Sequence, residues 1–377
     1  MGSGPLSPQT RTLATLLTHP SAECAGVLDP DLLVAADVHG VTLLLGESLQ
    51  TGGLVEFVPV DVLSRLNRAR REAVAIDSAL RTHSKRTLAS LAEAGVDAVV
   101  FKGAALAETH YEFPWLRPRG DVDLFVPPSQ VKAASDVLER NGCHKAVRPE
   151  GRLVTFQSRF IGTAAALEVA YDVHWRLVDP HAFAGVLDHA RVRERAIAGE
   201  SPGERFAAPV HALIIACVHR VAHHHDTDRL LLLCDIDRIA RRLSPAEWEC
   251  FADEATQAGV CAVSLRGLRL AAMLLETAVP PAIAEKLAAA GKAEPSASFA
   301  VGPLRRVDIL HSDLTALGWR RGARLMREHV FPSRAYMAAR YRTDRRLLLP
   351  FLYAHRLAGG LSAWLRRPEY TDSPSVP

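Results

Sequence analysis

Apolar positions recur at helical spacing from residue 11 to about 95. The clearest stretch is Val62, Leu63, Leu66, Ala69, Ala73, Ile76 and Leu80, with arginines on the opposite face. Asp61, just after Pro59, is expected to cap that helix. The period changes at residue 96. Val96 to Phe101 is a short β-branched run after Gly95 and predicts a buried strand. Lys102-Gly103 ends it, and Ala104 to His110 predicts a short helix. Gly120 to Val126 predicts a second strand, with Val122, Leu124 and Val126 alternating against Asp121, Asp123 and Phe125. Pro127-Pro128-Ser129 opens a helix that Asn141-Gly142 closes. Residues 143–160 have room for one or two short strands. Ala166 to Leu177 alternates again, Leu167, Val169, Tyr171, Val173 and Trp175 against Glu168, Ala170, Asp172 and His174. From Pro209 to about 366 the spacing is helical, with breaks near Thr227, Ser244-Pro245, Gly259, Pro280-Pro281, 291–298, Pro332 and Pro350.

This order predicts an α+β fold, a small mixed sheet flanked by helical regions. The expected division is an N-terminal helical segment at 1–95, a strand-bearing core at 96–205 and a C-terminal helical domain at 206–370. Residues 1–10 and 371–377, rich in Ser, Pro and Gly, are expected to be frayed.

The chain has 377 residues, 48% hydrophobic and 23% charged, which excludes wholesale disorder and a disulfide scaffold. The net charge of +3 creates no global field for nucleic acid. Only six of the 45 basic residues are lysines, so each lysine carries more information than an arginine. Six scattered cysteines form no Cys-x-x-Cys pair and suit a reducing cytosol. No uncharged apolar run of about 18 residues exists, so no membrane span is expected. The beginning, Met-Gly-Ser-Gly-Pro, lacks a signal pattern, and a cytoplasmic location is expected.

The strongest chemical signal is Arg117-Pro118-Arg119-Gly120-Asp121-Val122-Asp123-Leu124. Residues i and i+2 of a strand face the same side, so the two carboxylates project together, with Cα atoms roughly 6.5–7 Å apart. A divalent cation compensates such a pair, and Mg²⁺ characteristically takes one or two carboxylates plus substrate phosphates. The plain alternative is an exposed face paired with Arg117 or Arg119. Asp172, between Tyr171 and Val173 on another predicted strand, is an acid in an apolar frame. If the strands pair, it joins Asp121 and Asp123 in a three-carboxylate cluster of the kind two-metal nucleotidyl transfer requires. Replacing Asp121 or Asp123 by Asn is expected to leave folding intact, because relieving like-charge repulsion is not destabilising.

Lys102-Gly103 precedes a helix, whose N-terminus suits phosphate, with Lys102 adding a point charge. The alternative is a plain turn with a solvated lysine. His219 and His223 lie at i, i+4 on one helix face. Their spacing admits zinc, helix-end packing, or contact with substrate, but the intervening Glu and following ligand of the zinc motifs are missing. Asp235 or Asp237 is expected to pair with these histidines or with an arginine.

Taken in order, Phe101 to Leu106, Arg117 to Val126, Tyr171-Asp172-Val173-His174-Trp175-Arg176, Val218-His219 with His223-His224, and Leu230 to Asp235 resemble the bacterial uncharacterised nucleotidyltransferase family of the DNA polymerase beta-like superfamily. Val330-Phe331-Pro332-Ser333 with Tyr336 and Tyr341, and the lead stretch Val34 to Val41, extend the resemblance over nearly the whole chain. The resemblance implies attack by an acceptor hydroxyl on the α-phosphate of ATP or another NTP, with two Mg²⁺ ions and pyrophosphate leaving. Carried onto this chain, Asp121 and Asp123 are the metal pair and Asp172 the third acid. Lys102, Gly103 and Arg119 handle the nucleotide, and His174, His219 and His223 face the acceptor or pack. The superfamily's Gly-Ser is replaced by Lys102-Gly103, so phosphate handling should differ. The expected acceptor is a small molecule or peptide, with a biosynthetic role. The competing expectation is a catalytically silent protein that binds a nucleotide or a partner. Nucleic acid is the weakest acceptor, since no basic–aromatic run is present.

Overall fold

The computed structural model describes residues 6–365 other than 150, 303 and 344. The lead region holds α1 (Pro8–Thr18), α2 (Ala22–Gly26), α3 (Pro30–His39), α4 (Thr42–Thr51) and α5 (Val60–Glu93). The first five residues and 371–377 lie outside the described residues. Positions 8–10, expected to fray, instead open α1, because the Ser7 hydroxyl accepts from the Thr10 amide. Asp61 does not cap α5. Pro59 occupies the cap without a side-chain bond, and Asp61 lies in the first turn, where its charge favours the helix dipole.

The central region follows as β1 (Val99–Phe101), α6 (Lys102–Thr109), β2 (Asp121–Phe125), α7 (Val131–Arg140), β3 (His144–Lys145), β4 (Gln157–Ala164), β5 (Leu167–His174), α8 (His189–Glu194), β6 (Ile197–Ala198) and β7 (Arg205–Phe206). The strands form one mixed sheet in the order β3-β4-β5-β2-β1-β7-β6. The α+β expectation holds. The two-residue strands β6 and β7 carry too few residues to show alternation; β7 is held by parallel pairing to β1. The chain then runs through α9 (Pro209–Ala222), α10 (Leu230–Ala240), α11 (Pro245–Gln257), α12 (Cys261–Leu275), α13 (Pro281–Ala290), α14 (Arg306–Val330), α15 (Arg334–Tyr341) and α16 (Leu349–Leu365). All six cysteines are free thiols.

The alternation read in β2 and β5 sorts their side chains onto two faces. Val100, Val122, Leu124, Val169, Tyr171 and Val173 pack with Leu80, Leu88 and Leu91 of α5 and with Val137 and Leu138 of α7. Val99, Phe101 and Phe125, on the other face, join a cluster that also holds the buried residues of α1–α4 and α9–α13. The lead helices and the following helices therefore share one apolar core.

Among the described residues no single helix is long and apolar enough to cross a membrane. The pair α3 and α4 passes by length and composition together, but it bends by 116°. Its Leu32, Leu33, Leu44, Leu45 and Leu49 are buried in the core.

Candidate active site

β2 and β5 run parallel as neighbours, and their register sets Asp123 directly opposite Asp172. Asp121 stands opposite Ala170, and Phe125 opposite His174. With a period of two, Asp121, Asp123, Asp172 and His174 all face away from α5. One donor atom each from Asp123, Asp172 and His174 lie within 4.8 Å of one another, all three residues buried. The tight trio thus contains His174, which the sequence placed only near the acceptor or in packing. Asp121, partly exposed at the rim, is tied in by Arg159, whose Nη1 is 3.6 Å from Asp121 Oδ2 and 3.4 Å from Asp172 Oδ2. Arg159 went unnoticed in the sequence because its relevance comes from the β4–β5 register, which places it opposite Asp172.

Lys102 is not solvated. Its side chain is only 9% exposed, and Nζ donates to Asp123 Oδ1 at 2.8 Å. His174, which faces a carboxylate that can only accept, donates to the same oxygen from Nε2 at 2.8 Å. The ammonium also sits 4.8 Å from the centre of the Phe101 ring. Lys102 has φ +55°, a left-handed conformation that costs a residue with a Cβ of order 1 kcal/mol or more. It does so at the junction where β1 turns directly into α6. Gly103 follows it, and a Cβ there would stand 2.5 Å from Arg117 Nη1. Glycine therefore makes room for the Arg117 guanidinium.

The charges on the acids diverge. Burial opposes ionisation of Asp123, yet Lys102 and His174 hold it well below the usual carboxylate range. Burial, then Asp123 and Asp121, push Asp172 up to about 6, with Arg159 only partly offsetting them. Burial and Asp123 also raise Asp121. His174 is lowered by burial and then by Lys102, with Asp123 opposing them.

Arg119 is held away from the acids. Nη2 lies 2.7 Å from Asp77 Oδ1 on α5 and 3.7 Å from Glu108 on α6, and Nη1 donates to the Pro114 carbonyl at 3.2 Å. These contacts account for its burial without a nucleotide. The expected arginine partner of Asp235 is Arg117, and Tyr111 Oη donates to the same carboxylate at 2.7 Å. His219 and His223 stack with ring centres 5.0 Å apart, and His224 lies 4.8 Å from His219. Burial and then Lys102 lower both His219 and His223 far below the ordinary imidazole range. A partly open cleft bordered by Lys102, Gly103, Arg117, His219 and Asp235 has a volume of about 20 Å³, room for ordered water.

The residues fit a divalent cation. Asp172 Oδ1 is buried with no hydrogen-bond partner among the described residues, beside a second carboxylate, and burial together with Asp123 and Asp121 raises its pKa. Oxygen donors of this kind suit a hard ion. Fold and site thus define a candidate divalent-cation site at the junction of two parallel strands. A family model described as uncharacterised nucleotidyltransferase matches residues 27–276, and the chain belongs to that family. No curated protein matches the sequence.

Proposed function

We propose that the chain is a Mg²⁺-dependent nucleotidyltransferase that moves AMP from ATP to a hydroxyl of a small molecule or peptide. The observation that carries this reading is the unpartnered Asp172 Oδ1 next to Asp123 in a nucleotidyltransferase family. Asp121, Asp123 and Asp172 would hold the metal, which supplies charge to the triphosphate and acidifies a bound hydroxyl. Asp172, raised by burial and by Asp123 and Asp121, would take the acceptor's proton through the oxygen that the metal leaves free. Arg159 and Arg148, both acting on Asp172, would turn to phosphate oxygens, for which a guanidinium fork is suited. His219 lines the cleft beside Lys102, and His219 and His223 are both buried near that ammonium with their rings together, so packing is the role their surroundings favour. Neither the net charge nor any basic–aromatic run favours a nucleic-acid acceptor.

ATP labelled at the α-phosphate tests the reading against a panel of hydroxyl compounds and peptides. Expected is Mg²⁺-dependent transfer of the α-label with release of pyrophosphate, lost in Asp123→Asn and Asp172→Asn. The second reading, a silent binding protein, is favoured by the Lys102–Asp123 ion pair, which leaves one acid already neutralised. Tight Mg²⁺-ATP binding without transfer would support it. No ATP affinity with or without metal would end both.

A further inference from the structure

Two-metal centres place their ions about 3.5–4 Å apart, each sharing carboxylate oxygens. Asp123 is the acid such a centre would share, and here one of its oxygens is already taken. Oδ1 accepts both from Lys102 and from His174, each at 2.8 Å. The charge balance points the same way. Lys102 pairs directly with Asp123, and Arg159 bridges Asp121 and Asp172. Lys102 thus already supplies, at Asp123, a positive charge that a second metal ion would otherwise supply.

We infer that Lys102 is a built-in cation that takes the place of one of the two metal ions, so that the chain works with a single divalent ion held on the Asp172 side of the cluster. The inference rests on the metal-dependent reading above and replaces the expected pair of ions. The lysine is held for this purpose by several independent features. Its backbone is fixed in a left-handed conformation at the β1–α6 junction. Its stem is buried, and its ammonium lies against the Phe101 ring. Arg159 is held more loosely, at 3.4 and 3.6 Å and 19% exposed, and remains available to leave the acids for a phosphate. Asp172 Oδ1, without any partner, is the oxygen left for the ion.

Electron paramagnetic resonance of Mn²⁺, with a nonhydrolysable ATP analogue, reads the ion count without needing turnover. Wild-type protein should retain one Mn²⁺ per chain with the spectrum of an isolated ion. Lys102→Met, which keeps the length and removes the charge, should retain two Mn²⁺ and show spin coupling between them; Lys102→Gln should behave alike. A coupled pair in the wild type would overturn the inference while leaving metal dependence standing, and that measurement does not depend on the variants folding. A well-folded Lys102→Met that still holds one ion would also overturn it. A wild type that holds no Mn²⁺ would remove the metal-dependent reading itself, and the inference with it.

Discussion

Asp235 accepts two hydrogen bonds along one edge of the Arg117 guanidinium, from Nε at 3.2 Å and Nη2 at 2.8 Å, so α10 is bolted to the segment that leads into β2. Both side chains are nearly or fully buried. Removing one partner leaves the other as an uncompensated buried charge. Asp235→Ala should therefore lose on the order of 3–5 kcal/mol in denaturant unfolding. Arg117→Lys should rescue little of the pair, since an ammonium lacks the planar fork that donates two parallel bonds. A loss below about 1 kcal/mol in Asp235→Ala would show that α10 is anchored elsewhere.

Asp123→Asn and Asp172→Asn should move stability in opposite directions. The expectation that Asp123→Asn spares the fold does not survive the Lys102–Asp123 contact. Asp123→Asn strands a buried ammonium and should cost on the order of 3 kcal/mol. Asp172 has no such partner on Oδ1. Thermal melts of the two variants in a chelator at pH 7.5 check this, and a shared sign would contradict the charge assignment.

The gain from Asp172→Asn should depend on pH. In the folded protein Asp172 titrates at about 6, raised from 3.8. The unfolded chain therefore releases this proton first as pH rises. Stability tied to this group is complete below pH 3.8 and is lost through pH 6. Asp172→Asn avoids that loss, about 3 kcal/mol by the size of the shift. Its advantage should grow between pH 4 and 6 and level off above. An advantage constant over that range would mean another cause.

Acid should destabilise the protein as a whole. Burial lowers His39 and His110 from 6.5 to about 4 each. Below pH 6.5 the unfolded chain gains protons that these folded imidazoles refuse until about pH 4. Their contribution is thus complete above 6.5 and lost towards 4, about 3 kcal/mol for each. His211, His219, His223 and His224 are lowered in the same direction, outweighing the opposite trend of Asp172 and Asp313. The melting temperature should fall steeply from pH 6.5 to 4.5, and His110→Asn should flatten part of the slope. A flat profile would place these rings in water.

The alternation in 120–126 and 166–177 was enough to assign each side chain of β2 and β5 to its face, because a strand's two-residue period is a local property of the backbone. Val122, Leu124, Tyr171 and Val173 went to the apolar side, and Asp121, Asp123, Asp172 and His174 to the other. Helical spacing likewise marked the flanking regions. Which strand lies beside which is not local. Only the parallel β2–β5 register sets Asp123 against Asp172, and only the β4–β5 register delivers Arg159 to them. The same holds for Lys102. Its position before a helix pointed to phosphate, but the left-handed turn at φ +55° directs its ammonium onto Asp123. A buried carboxylate attracts the nearest cation that can reach it, and reach is decided by the packed chain in three dimensions.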